Sequence, residues 1–312
     1  MFSSAVVAGR LHEKTGIPCQ DVVAGRREGG VVALALADGA GSAAMAELGA
    51  QLAAVVTLEL LTTEFDFLYE EELGIVQTKI IGSILARIDQ AAEAASVASS
   101  EFASTLLFVA VKQNRFLVGH IGDGIIACER AGKCEVLSRP QRGEHANETI
   151  FVTSVGAASR LVVERGILGG LSAFAIMSDG AAESLYLRST ETVAPALASM
   201  WFWQDSHSPK VVDFALEANL RDQIRLSTGD DCSLALLRRV GVPLNVITSM
   251  DTAFQRSFLD CRSQRGLKNR LAVLFALQAI DVDVSVATIA ASTQLSANTV
   301  RKHVRFLRDL LD

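Results

Sequence analysis

Thiols and imidazoles are scarce in this chain of 312 residues. Five cysteines (Cys19, Cys128, Cys134, Cys232, Cys261) are scattered without a Cys-x-x-Cys pair, and no Cys/His group has zinc spacing. That excludes a structural zinc module and a disulfide framework, and leads us to expect reduced thiols and a cytoplasmic protein. Apolar runs of bilayer length are also missing. The longest uncharged stretch, Val284–Val300, has 17 residues and is laced with Ser, Thr, Gln and Asn. No transmembrane helix and no membrane partner are expected. The opening Met-Phe-Ser-Ser-Ala-Val-Val-Ala-Gly-Arg lacks the basic-then-apolar order of a signal peptide. Repeats and low-complexity segments are absent. Half the residues are apolar and 21% are charged, which is too apolar for a disordered chain and enough for a sizeable core.

The charge that is present is unevenly placed. From Ala253 onward there are nine basic and five acidic residues, a balance of +4; the remaining 20 basic and 30 acidic residues give −10. A sign change at one point in the chain marks a domain boundary. The stretch Val240-Gly-Val-Pro-Leu-Asn just before it reads as a linker. The expected organisation is a large domain over 1–240, a linker over 241–252 and a small domain over 253–312.

Short apolar runs of strand length lie at Val31–Ala37, Thr105–Val111, Phe116–Ile121, Thr149–Val155, Phe174–Met177 and Ser233–Leu237. Continuous apolarity implies strands covered on both faces. Helical patterns fall at Ala43–Leu61, Gln77–Ala98, Thr190–Trp203 and Pro209–Arg225. Regular β-α-β-α alternation is not seen, so a simple doubly wound parallel sheet is disfavoured.

The chemistry lies where the apolar runs stop. Asp38-Gly39, Gly122-Asp123-Gly124, Asp179-Gly180 and Gly229-Asp230-Asp231 each adjoin such a run, and Asp21 precedes a Val-Val pair. One Asp-Gly is ordinarily a turn. Five carboxylates at the ends of core strands repel one another and lose hydration, so they call for a cation. With oxygen ligands and no His or Cys set, that cation is a hard one, Mg²⁺ or Mn²⁺.

The ordered set Gln20-Asp21, Asp38-Gly39-Ala-Gly-Ser, Ser104-Thr105, Gly122-Asp123-Gly124, Ser178-Asp179-Gly180 and Asp230-Asp231-Cys-Ser resembles the metal-dependent type 2C serine/threonine protein phosphatases. Gly9…His12…Cys19-Gln-Asp and the segment Gly143–Ser154 resemble a bacterial branch of that family, and the likeness spans about residues 5–239. The resemblance implies an α+β fold, a four-layer α-β-β-α sandwich of two antiparallel sheets. It implies two Mg²⁺ or Mn²⁺ ions that activate a bridging water for attack on phosphorus. Asp38 would bridge the ions and the Gly39 carbonyl would hold one of them. Asp21 would hold the shared water shell, and Asp179 and Asp230 would complete the second ion's shell. Asp123 matches a site for a third, weaker ion. The implied substrate is a phosphorylated protein in bacterial signalling, with a partner kinase.

There are departures. Many relatives carry an Arg five residues before the first Asp, to grip phosphate; here that residue is Gly16. Arg10 or His12 could take its place. Animal members carry a His after the bridging Asp-Gly, where this chain has Ala40, and Gln20 stands where many have Glu. Protonation of the leaving group would then fall to a metal-bound water or to His12. These departures motivate a second reading, a phosphoprotein sensor or DNA-binding regulator without turnover.

The tail follows a different pattern. Leu267–Ile280 reads as an amphipathic helix carrying Lys268 and Arg270, Val286–Thr293 as a second helix, Gln294-Leu295 as a turn, and the stretch from Ser296, an N-cap, as a third. Val300, Val304, Leu307 and Leu311 share one face. The pattern resembles the helix-turn-helix of bacterial regulators. If it binds DNA, Asn298, Thr299, Arg301 and Lys302 would meet the major groove and Arg305 the phosphates. The alternative is protein docking.

Overall fold

The computed structural model describes residues 2–141, 149–238, 247, 251–279 and 285–311. They form two compact units. One comprises Phe2–Met200 with Asp213–Leu237, and the other Trp201–Val212 with Arg238 onward. The expected linker over 241–252 lies largely outside the described residues.

The larger unit is built on two five-stranded sheets. The first has strands β1 (Phe2–Val7), β6 (Ile125–Arg130), β7 (Lys133–Ser138), β9 (Leu171–Met177) and β12 (Cys232–Arg238), in the order β1-β12-β9-β6-β7. The second has β2 (Asp21–Glu28), β3 (Val31–Asp38), β4 (Leu106–Lys112), β5 (Arg115–Ile121) and β8 (Val162–Ile167), in the order β2-β3-β4-β5-β8. Every strand pair whose register is described is antiparallel.

Strand β3 shows why its sequence is apolar without a break. Val32, Leu34 and Leu36 enter the core between the sheets with Leu107, Val109, Phe174, Ile176 and Ala235. Val31, Ala33, Ala35 and Ala37 point the other way, into a second core under helices α2 (Ala46–Thr63) and α4 (Leu73–Ala95). Alanines on both sides, including Ala50, Ala53 and Ala54 of α2, let the helix lie close on the sheet. Ile80, Ile84 and Ile88 of α4 are fully buried, each contributing about 1.5–3 kcal/mol. By length and composition α2 could cross a membrane, but here it is the central helix of this core. On the first sheet, Asp213 of helix α8 (Pro209–Asp222) accepts the Ser4 N–H of β1 at 2.8 Å. The fold is α+β, two antiparallel sheets flanked by helices.

Several expectations need correction. The apolar run Thr149–Val155 is not a strand but a turn segment, closed by Phe151 N–H to Ser154 Oγ at 3.0 Å. The region from Thr190 opens as a short hairpin (Tyr186–Leu187 with Thr192–Val193), and helix α7 starts only at Ala196 and runs to Ser206. The five cysteines are free.

In the smaller unit, helices α9 (Thr252–Phe258), α10 (Gln264–Ala279), α11 (Val286–Thr293) and α12 (Ala297–Leu311) share one core. Val300, Val304 and Leu307 of α12 are buried in it with Phe258, Val273, Leu274 and Ile289. Ser285 and Ser296 cap α11 and α12, each accepting the backbone N–H three residues on at 3.2 Å. Gln294 turns the chain between them in the left-handed region, at φ 55°. Arg270 is not on an exposed basic face. It is 7% exposed, bonded to the Leu259 carbonyl and stacked on Phe306 with its guanidinium carbon 3.7 Å from the ring centroid.

Candidate metal centre

The two sheets bring their aspartates to one cleft at the edge of the sandwich. Asp38 ends β3, Asp179 follows β9, Asp230 precedes β12, and Asp123 lies in the turn between β5 and β6. One carboxylate oxygen from each of Asp38, Asp123 and Asp179 lies within 4.8 Å of the others. The cleft, about 440 Å³, is lined by these three, Gly39, Asp230, His12, Gln20, Thr105, Thr149 and Phe151 among others. Among the described lining residues there is no Lys or Arg.

Strand register places the acids. Asp21 and Asp38 are direct partners across β2 and β3, an arrangement of like charges that disfavours the pair unless a cation intervenes. Thr105 fixes the end of β3: its Oγ1 accepts the Asp38 N–H at 3.0 Å, and its own N–H donates to the Asp38 carbonyl at 2.8 Å. Ser178 and Ser233 lock the Asp179 corner to β12, with the Ser178 N–H on the Ser233 carbonyl at 3.1 Å and the Ser233 N–H on Ser178 Oγ at 3.0 Å. Thr149 Oγ1 donates to Asp123 Oδ2 at 2.7 Å.

The electrostatics are those of buried carboxylates crowded against one another. Burial, then the charges of Asp21, Asp179, Asp230 and Asp123, holds the Asp38 carboxyl well above its usual range. Burial pushes Asp21 up to about 7; the Ser233 and Ser178 hydroxyls lie near enough to offset part of this, while Asp231 and Asp179 add to it. Neither hydroxyl completes a hydrogen bond to Asp21, so both buried Asp21 oxygens lack a partner, as does Asp179 Oδ1. Asp179 rises to about 6, from burial and then the charges of Asp123 and Asp230. Orphaned buried carboxylate oxygens, hard donors and a described lining without Lys or Arg fit divalent cations.

The other anticipated residues are placed differently. Asp21 lies behind the cleft wall and does not line it. Arg10 is not among the residues that line the cleft, and its Nε donates to the Thr228 carbonyl at 3.2 Å. His12, on helix α1 (Arg10–Thr15), lines the cleft. Gly16 caps that helix at φ 72°, a conformation that disfavours the Arg many relatives carry there. Cys232 and Arg238 have the Cys-x₅-Arg spacing of thiol phosphatases, but the intervening residues are extended strand β12. Burial, with the nearby aspartates, pushes the Cys232 thiol up to about 12, so it is no nucleophile.

Asp231 is the residue that motif reading leaves without a role. It is 2% exposed. Its Oδ1 accepts the Gly9 N–H at 2.7 Å and faces His12 Nδ1 at 3.0 Å; its Oδ2 accepts the Gln20 N–H at 2.7 Å. A Cβ on Gly9 would stand 2.4 Å from the Asp230 carbonyl carbon, so only glycine lets this loop reach it. The sequence signal is the Asp-Asp doublet, whose second member has both oxygens taken by the protein's own donors.

Comparison with known proteins agrees with this geometry. The sequence profile of protein phosphatase 2C matches residues 8–225. Serine/threonine-protein phosphatase 3 of Escherichia coli (strain K12) is 29% identical over 165 residues, which are 50% of this chain and 64% of that protein. The chain thus spans slightly less than two thirds of that relative's length. Among solved structures, PppA, described as a key regulatory component of T6SS in Pseudomonas aeruginosa, superposes with TM-score 0.51 at 20% identity, covering 76% of this chain and 96% of that one. The catalytic domain of the serine/threonine protein phosphatase PstP, in complex with two manganese ions, gives TM-score 0.52 at 15% identity, again covering 76% and 96%. These likenesses establish the fold, and the profile match over most of the chain establishes the family: the chain belongs to the protein phosphatase 2C family.

Proposed function

We propose that the protein hydrolyses phosphoserine and phosphothreonine in protein substrates, using two divalent cations held by its aspartates. The observation that carries this reading is the convergence of Asp38, Asp123 and Asp179 within 4.8 Å, beside buried carboxylate oxygens without partners, in a chain of this family. Asp38, the Gly39 carbonyl, Asp179 and Asp230 would hold the ions, Asp21 would order the water around them, and Asp123 would hold a third. Bound there, Mg²⁺ or Mn²⁺ supplies the charge that activates a water for in-line attack and neutralises the phosphoryl oxygens. Thr105 and Ser178 keep the acids in place, and the Thr149 hydroxyl on Asp123 ties the segment beside the cleft mouth to the site. Signalling against a partner kinase is the biological setting this chemistry fits. The test is phosphate release from a phosphothreonine peptide with Mn²⁺. Activity abolished by EDTA and lost in Asp38→Asn supports the reading; activity that survives both refutes it. Mn²⁺ binding without turnover would favour the phosphoprotein-sensor alternative.

The smaller unit supports a separate docking role. Asn298, Arg301, Lys302 and Arg305 are exposed on α12 while Val300, Val304 and Leu307 are buried. Thr299 is half-buried and its hydroxyl is hydrogen-bonded with Ser296 Oγ at 2.9 Å, which leaves it less free for base contact. The exposed residues fit duplex DNA, with protein docking the alternative. Salt-sensitive retardation of genomic DNA fragments, lost in Arg301→Glu/Arg305→Glu, supports DNA; no retardation assigns the surface to protein.

A further inference from the structure

We infer that His12 is the acid that protonates the departing serine or threonine oxygen, and that Asp231 is the positioning residue that aims it. This inference rests on the phosphatase reading above.

The geometry is specific. A carboxylate can only accept, so the 3.0 Å contact between Asp231 Oδ1 and His12 Nδ1 makes Nδ1 the protonated nitrogen of that pair. Nε2 is then the ring nitrogen left for the cleft, which His12 lines together with Asp38, Asp179 and Asp230. The His12 side chain is 13% exposed and Asp231's is 3%, so the contact is shielded from solvent competition. Asp231 is itself held from two further directions, by the Gly9 and Gln20 N–H groups at 2.7 Å. Its position next to Asp230 ties the histidine's placement to the backbone that presents a metal-side carboxylate. The rest of the described cleft offers no competing donor of this kind: Ala40 cannot donate from its side chain, Arg10 is turned to the Thr228 carbonyl, and no Lys or Arg lines the cleft.

The step balances simply. A water oxygen forms the new bond to phosphorus and gives up one proton to solvent. The bond from phosphorus to the ester oxygen breaks, its electron pair stays on that oxygen, and the Nε2 proton of the imidazolium moves onto it. The products are the free alcohol and hydrogen phosphate; the neutral ring regains a proton from solvent. The Nδ1 proton stays on the ring, donated to Asp231 throughout, and Asp231 acts only as the orienting carboxylate.

An acid of this kind matters only when the leaving group is poor. The experiment therefore compares a phosphothreonine peptide, whose alkoxide needs a proton, with p-nitrophenyl phosphate, whose phenolate leaves as the anion. For full-length His12→Gln with saturating Mn²⁺, kcat on the peptide is expected to fall about 100-fold or more, with less than tenfold loss on p-nitrophenyl phosphate and KM little changed. Asp231→Asn, which keeps one acceptor oxygen, is expected to show the same selectivity at smaller size. Equal losses on both substrates, or a rise in KM with kcat intact, would overturn the inference and make His12 a structural or phosphate-binding residue. If the wild-type chain shows no Mn²⁺-dependent hydrolysis of either substrate, it is the phosphatase reading that fails.

Discussion

Two buried aspartates lie behind the lining of one cleft, and the fold treats them in opposite ways. Asp231, 2% exposed, has both oxygens occupied by hydrogen bonds from three residues, Gly9, His12 and Gln20. Asp21, 6% exposed, has neither oxygen occupied. One carboxylate is a joint that holds Gly9, His12 and Gln20 together. The other is stranded beside Asp38, Asp179 and a water-accessible cleft. The difference separates acids that finish the protein's own structure from acids whose partner arrives from outside, a distinction that a set of Asp-Gly motifs cannot make.

Removing each acid should therefore move metal-free stability in opposite directions. Asp231→Ala strands two backbone N–H groups and a histidine, and is expected to cost about 3 kcal/mol or more at about 1–3 kcal/mol per buried group left unpaired, as read by urea unfolding. Asp38 is, on the reading proposed above, a ligand of the cations. Asp38→Asn is expected to lower kcat/KM on a phosphothreonine peptide by more than the roughly 10–100-fold typical of a residue behind the ligands, with the fold intact by circular dichroism. Asp21→Asn removes a buried charge without a partner, so metal-free protein should gain about 1–3 kcal/mol while losing part of the stabilisation that Mn²⁺ confers. A loss of stability in that variant would place Asp21 with Asp231 and erase the contrast.

The pH dependence follows from the same groups. Asp21 and Asp179 are raised to about 7 and about 6 in the folded chain, against roughly 4 when unfolded. Between pH 4 and 7 the folded state then holds more protons than the unfolded one. Metal-free stability should be greatest near pH 4 and fall as the pH rises towards 7. Saturating Mn²⁺ should flatten or reverse that slope in a series of thermal melts, because a bound cation favours the ionised acids. The smallest expected effect is on catalysis by the tail: Arg301→Glu/Arg305→Glu should leave peptide hydrolysis unchanged.

Much of this site is legible in the sequence alone, for a local reason. Asp38, Asp123, Asp179 and Asp230 each sit where an apolar strand meets a glycine or a turn, so chain direction alone carries them to one edge. Strand β3 is legible because both its faces are buried. Strands β1 and β2 are not, since Phe2–Val7 is interrupted by the Ser3-Ser4 pair on a half-buried edge and Asp21–Glu28 ends in Arg-Arg-Glu. The turn at Thr149–Ser154 hides behind residues of strand type: Ile150 and Val152 are buried in the core under the helices without forming a strand. The role of Asp231 is the least legible. Its partners Gly9 and His12 lie 222 and 219 positions away, and nothing in either segment alone signals the contact.

The central claim is that the unsatisfied aspartates are a two-cation site. Calorimetric titration of metal-stripped protein with Mn²⁺ tests it most directly. Two ions per chain are expected to bind, with proton release near pH 6, and at least one of them should be lost in Asp38→Asn. Absence of Mn²⁺ binding, or binding unaffected by that substitution, would contradict the claim.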